Sequence, residues 1–138
     1  MVEQSALDAA RKQLNESEKI RSALVIGAGW VGRQIVLQLS AFGVRTKWLD
    51  QSSAALENGM AWLNSQGEII RNENGWKNEG DQSRGMVLAI PDMSQLTDDV
   101  DLVIESVTEQ SSAKRKVLTA ASEHFPAAII ASNSSYFT

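Results

Sequence analysis

The chain has 138 residues, enough for one domain or a large part of one. Thirteen Lys and Arg stand against seventeen Asp and Glu, and the net charge of −4 excludes a broadly basic nucleic-acid footprint and fits poorly with a polybasic membrane patch. With no cysteine and one histidine, His124, the sequence excludes disulfides, thiolate metal sites and Cys nucleophiles, and it lacks the ligands for a His-based zinc site.

Hydrophobic residues make up 43% and charged residues 22%, a globular composition. No apolar run approaches the roughly 20 residues of a bilayer span. The polar, charged N-terminus does not read as a secretory leader. A cytoplasmic or organellar-matrix protein is expected.

Residues 1–21 form a charged lead-in with a thin helical stripe of Ala6, Ala9, Ala10 and Leu14. Residues 22–138 read as the domain proper. Ser22-Ala23-Leu24-Val25-Ile26 is a short apolar run of the kind found in buried parallel strands. A Gly-rich turn follows it. Val31, Ile35, Val36, Leu39 and Phe42 then recur at helical spacing, with Gly43 placed to end the helix. Val44 to Leu49 is the second strand, closed by Asp50. Ser52 or Ser53 caps the next helix, which carries Ala55, Leu56, Met60 and Leu63. The pattern dissolves over 64–84 into a loop-rich excursion with helical fragments. Met86–Ile90 is a third strand and Asp101–Val107 a fourth strand with its turn. A helix opened by Ser111 or Ser112 leads to a fifth strand at Ala127–Ala131. This β–α alternation predicts an α/β, Rossmann-type doubly wound fold with a mostly parallel sheet. Six strands are usual there, so a domain truncated after about five strands, incomplete at its C-terminus, is expected.

The turn Gly27-Ala28-Gly29-Trp30-Val31-Gly32 follows a strand and opens a helix, the context that gives this spacing its mechanism. Gly27 permits the tight turn, Gly29 a close backbone approach to a pyrophosphate, and Gly32 close packing of helix on strand. The anion then rests on N–H groups at the helix N-terminus. Asp50, eighteen residues after Gly32, stands where a carboxylate accepts the adenosine ribose hydroxyls. It would repel a 2′-phosphate, so NAD is expected over NADP. Arg45 and Lys47 should point away from the ligand. For Trp30, packing on the helix is preferred to covering the pyrophosphate, because aromatics chiefly bury area. Trp48, Trp62 and Trp76 read as packing residues.

Val25-Ile26-Gly27-Ala28-Gly29, Asp101 to Glu109, Lys114 and Ile130 to Ser135 together resemble the NAD-binding domain of 3-hydroxyacyl-CoA dehydrogenases, over about 22–138. The resemblance implies hydride transfer between NAD and a 3-hydroxy substrate. It implies that Glu109 lies beside the nicotinamide ribose and that Lys114 contacts the cofactor. Ser132 and Asn133 would begin the segment lining the nicotinamide, and Ser135 would orient the substrate oxygen. Read from residue type alone, Glu109 also suits a helix first turn, Lys114-Arg115-Lys116 a solvated charged face, and Ser132–Ser135 a polar turn. Glu105 reads as a strand-end residue with no assigned role. His124 reads as a decoration of a helix C-terminus.

The family's catalytic histidine and its glutamate lie downstream of the Ser-Asn motif, and its helical substrate and dimerisation domain follows. Neither is in this chain, so an enzyme as a full-length protein, a homodimer, and an inactive isolated chain are expected. Over 54–85, five acidic residues (Glu57, Glu68, Glu73, Glu79, Asp81) face three basic ones (Arg71, Lys77, Arg84), a poor surface for the phosphates of CoA. A small hydroxy acid or a carnitine-like molecule is therefore an alternative to acyl-CoA as substrate. A non-catalytic NAD(H)-binding module and an FAD-binding domain are further alternatives. No metal, nucleic-acid or membrane partner is expected.

Overall fold

The structure, a computed structural model, describes residues 4–10, 20–67, 69, 73, 85–107 and 110–133. In chain order these form a short exposed helix α1 (residues 4–10), β1 (Ser22–Ile26), α2 (Trp30–Ala41), β2 (Arg45–Leu49), α3 (Ser53–Trp62), β3 (Val87–Ile90), β4 (Leu102–Glu105), α4 (Ser111–His124) and β5 (Ile129–Ser132). The strands make one parallel sheet in the order β3-β2-β1-β4-β5.

β1 is apolar and buried from Ala23 to Ile26 because it lies mid-sheet with both faces covered. Successive side chains point to opposite faces. Leu24 and Ile26 join Val103, Leu96 and Val100, and meet Ala121 and Phe125 at the end of α4. Val25 joins Trp48 and meets Val36 and Leu37 of α2 and Leu56 of α3. Two hydrophobic layers therefore sandwich the sheet, with α2 and α3 on one side and α4 on the other. This is the expected doubly wound α/β arrangement.

The ends of the elements follow from local chemistry. α2 stops in a Schellman motif: Val44 N–H donates to Leu39 O and Gly43 N–H to Ser40 O, with Gly43 at φ +80°. The Ser52 hydroxyl caps α3 by accepting from Ala55 N–H at 3.2 Å. Beyond α3 the chain runs into a π-helical turn, Leu63–Gly67, with Leu63 buried. Of the excursion expected over 64–84, the described residues are 64–67, Ile69 and Glu73, and the last two are helical.

The strand bounds after β1 differ from the sequence expectation by a residue or two, and one short element was not anticipated. β4 ends at Glu105, before Val107, because Val107 N–H turns back onto the Glu105 carboxylate. β5 starts at Ile129 because the Ala128 N–H closes a turn onto Phe125 O. An unanticipated 3-10 turn, Met93–Gln95, is set by the Asp92 carboxylate accepting from Ser94 N–H.

Candidate functional site

All five strands run the same way, so the loops after β1, β2, β4 and β5 gather at one edge of the sheet. The order reverses between β1 and β4, and the crevice at such a switch point is where this architecture binds ligands. The Gly-rich turn sits there. Gly27 has φ +120°, and a Cβ on it would lie 2.3 Å from Ser106 O, so the loops after β1 and β4 touch through this residue. At Gly32 a Cβ would lie 2.1 Å from Gly27 O, which lets α2 start directly against the end of β1. Gly29 differs: a Cβ there would meet nothing within 4 Å. It is the N-cap of α2, with no side-chain cap bond and no acidic residue in the first turn. Among the described residues the helix start therefore has no side-chain cap and no acidic first-turn group to compensate its N–H groups and positive dipole end, which suits an anion such as a pyrophosphate.

Asp50 is fixed beside this turn. One carboxylate oxygen accepts from Ala28 N–H at 2.8 Å and the other from Ser52 N–H at 2.7 Å. Each oxygen retains a lone pair for a further donor. Trp48 braces the turn from below, its indole N–H donating to Gly27 O at 2.8 Å. Beyond Asp50 opens a cleft of about 500 Å³, walled by Gln51, Leu56, Met60, Ile90 and Pro91. Arg45 is exposed, and Lys47 is drawn to Asp98 at 3.6 Å. Trp30 is 66% exposed and stands edge-to-face with Trp62, ring centroids 5.9 Å apart. It packs on the end of α3 rather than on its own helix alone.

Across the switch point lies a group that sequence reading left without a role. Glu105, at the end of β4, is fully buried. Its Oε1 accepts from Lys114 Nζ at 2.6 Å and from Val107 N–H at 3.1 Å, and its Oε2 accepts from the Ser132 hydroxyl. Lys114 Nζ also donates to Val107 O at 3.1 Å. Asn133 N–H donates to Glu105 O at 2.8 Å. Burial pushes the Glu105 carboxyl up, but the hydrogen bonds from Lys114, Ser132 and Val107 and the Lys114 charge outweigh it and hold the group below its ordinary value.

The solvated-face reading of Lys114-Arg115-Lys116 fails for its first member. Lys114 is 5% exposed, whereas Arg115 and Lys116 face solvent. The sequence signal for Glu105 was present: a carboxylate closing an apolar mid-sheet strand needs a partner. Glu109 and Ser135 lie outside the described residues. His124, the last residue of α4, bonds to Leu96 O through Nε2 at 2.8 Å and stacks edge-on against Phe125.

A parallel sheet of this order, with a glycine turn at its switch point and a carboxylate closing β2, defines a dinucleotide-binding domain of the doubly wound class. The chain belongs to the 3-hydroxyacyl-CoA dehydrogenase family: the family model "3-hydroxyacyl-CoA dehydrogenase, NAD binding domain" matches residues 22–138. It is 33% identical over 126 residues to a peroxisomal bifunctional enzyme of Danio rerio, covering 89% of this chain and 17% of that protein. Among solved structures, it is similar to (S)-3-hydroxybutyryl-CoA dehydrogenase from Ralstonia eutropha, with 27% identity, TM-score 0.72, and coverage of 87% of this chain and 43% of that one. It is also similar to an NAD+-dependent 5-dehydrogenase of a pyridine carboxylic acid, with 28% identity, TM-score 0.74, and coverage of 85% and 38%. The chain thus spans less than half the length of these relatives. Among the described residues, no helix is long and apolar enough to cross a membrane.

Proposed function

We propose that this chain is the cofactor half of an NAD-dependent 3-hydroxyacyl-CoA-type dehydrogenase. The observation that carries this reading is Asp50, held by the backbone of both the glycine turn and the α3 cap at the mouth of a 500 Å³ cleft. In it, the adenosine lies in the cleft with its ribose hydroxyls donating to Asp50. The pyrophosphate rests on the turn Gly27-Ala28-Gly29-Trp30-Val31-Gly32, against the open face at Gly29. Lys114 and Glu109 bound the nicotinamide side, with Ser132 and Asn133 at the end of β5. Ser135 orients the substrate oxygen. NAD, when bound, supplies the hydride acceptor, and the protein's part is orientation and electrostatics.

The hydroxybutyryl-CoA dehydrogenase relative supports a 3-hydroxyacyl thioester as substrate class. The downstream helical domain of the family would supply the acid–base histidine and the dimer contact. The peroxisomal relative supports an organellar matrix as the location.

The test is titration of the folded chain with NADH and NADPH, followed by tryptophan fluorescence. NADH should saturate, NADPH should bind at least ten-fold more weakly, and Asp50→Asn should weaken NADH by about ten-fold or more, the worth of one charge-assisted hydrogen bond at ~1.5–3 kcal/mol. Equal binding of the two cofactors, or none by a folded chain, would overturn the reading.

A further inference from the structure

The two halves of the crevice are organised differently. On the β2 side, Asp50 is fixed by backbone N–H groups close to it in sequence or in the neighbouring turn. On the β4–β5 side one such local bond, from Val107 N–H to the Glu105 carboxylate, is joined by side-chain bonds from nine and twenty-seven residues away. Three separate pieces of chain meet there: the loop after β4 at Val107, the first turn of α4 at Lys114, and the end of β5 at Ser132. Each makes its side-chain or backbone bond to one carboxylate, that of Glu105. The backbone of Glu105 makes a fourth connection, accepting from Asn133 N–H. A buried carboxylate is costly to desolvate, and a strand end could be closed without that cost by an apolar side chain. What this carboxylate adds over an apolar side chain is the set of bonds that ties three pieces of chain to one point.

We infer that Glu105 is the positioning residue of the nicotinamide side of the crevice, setting where Lys114, Ser132 and Asn133 stand for the cofactor; this rests on the NAD-binding reading above. Glu105 touches no ligand itself. Its carboxylate draws the Lys114 ammonium back from solvent and holds it over Val107, so that the α4 start and the β5 end keep one spacing. The bonds that fix Asp50 on the adenosine side come from Ala28 and Ser52 and do not involve this carboxylate.

The experiment compares two probes, NADH and ADP-ribose, which share the adenosine and pyrophosphate and differ in the nicotinamide. Both are titrated into the full chain, into Glu105→Gln, which keeps the shape and removes the charge, and into Glu105→Asp, which keeps the charge and shortens the arm. All are measured below their melting temperatures. NADH dissociation constants should rise at least five-fold in Glu105→Gln and at least two-fold in Glu105→Asp, with ADP-ribose binding unchanged in both. A purely structural ion pair would weaken both probes together or neither, and either pattern overturns the inference. Should Glu105→Gln fail to fold, Glu105→Asp decides on the same split. A folded parent chain that binds neither probe removes the NAD-binding reading and the inference with it. Parent binding with unsplit variants removes the inference alone.

Discussion

Substituting Gly32 by alanine tests whether close approach of α2 to β1 holds the turn together. The new Cβ would stand 2.1 Å from Gly27 O and 2.9 Å from Gly27 C, both backbone atoms that no rotamer change can move aside. A carbon and an oxygen in contact rest near 3.3 Å, so the helix start must retreat by about 1 Å. The same Gly27 carbonyl accepts the buried Trp48 indole N–H at 2.8 Å, and the retreat strains or breaks that bond. Overpacking costs ~1–3 kcal/mol. Loss of the indole bond adds ~1 kcal/mol. Alanine recovers at most ~1 kcal/mol of helix propensity. The net loss of roughly 1–3 kcal/mol corresponds to a fall of about 4–12 °C in melting temperature for a domain of this size. Thermal unfolding by far-UV circular dichroism measures it. Gly29→Ala is the control. Gly29 has ordinary backbone angles, φ −76° and ψ −170°, and open space where the Cβ would go. It should melt within about 4 °C of the parent, the small cost of alanine for glycine at an N-cap, yet bind NADH at least ten-fold more weakly because the methyl occupies the anion's approach. A Gly32→Ala variant as stable as the parent would refute the close-packing account.

Two further outcomes follow from the packing and the electrostatics. At Gly59 in α3 a Cβ would lie 2.5 Å from Trp48 Cη2, inside a fully buried ring, so Gly59→Ala should lose about 1–2 kcal/mol in urea unfolding even though alanine favours the helix; a stabilised variant would show that the ring yields. The Glu105 carboxyl is held below its ordinary value when folded, so its contribution to stability is complete above its unfolded value, near pH 4.3, and is lost as pH falls through the lower folded value. The melting temperature of the parent should therefore hold from pH 7 to about pH 5 and then fall, while Glu105→Gln, less stable at pH 7, should show a shallower acid limb; parallel profiles would exclude this source of the dependence.

Where the sequence was easiest to read, one physical demand dominated. Ser22–Ile26 had to be a mid-sheet strand because nothing else buries five such residues between turn signals, and its predicted bounds coincide with β1. The glycine turn was legible because backbone clearance admits no other residue at Gly27 and Gly32. The Ser52 cap and the Gly43 stop were local too. What escaped was set at a distance. Glu105 gains its side-chain partners from nine and twenty-seven residues away, so no short window of sequence contains them together. The direction of Lys114, buried beside two exposed basic neighbours, depends on that same carboxylate. The contact of Trp30 with Trp62 is likewise tertiary, joining the starts and ends of different helices.

The strand order also bears on how the chain can be made. β1 leaves the ribosome before the other described strands, but one of its two neighbours, β4, pairs Leu24 with Val103, almost eighty residues later. At bacterial or eukaryotic synthesis rates of ~5–20 residues per second, that partner arrives about 4–16 s after β1. Until then a strand that is apolar from Ala23 to Ile26 has one edge open, together with the surface meant for α4. No two strands of the sheet are joined as a hairpin that could shelter it early. For those seconds the central strand of the newborn chain has one edge without its native partner.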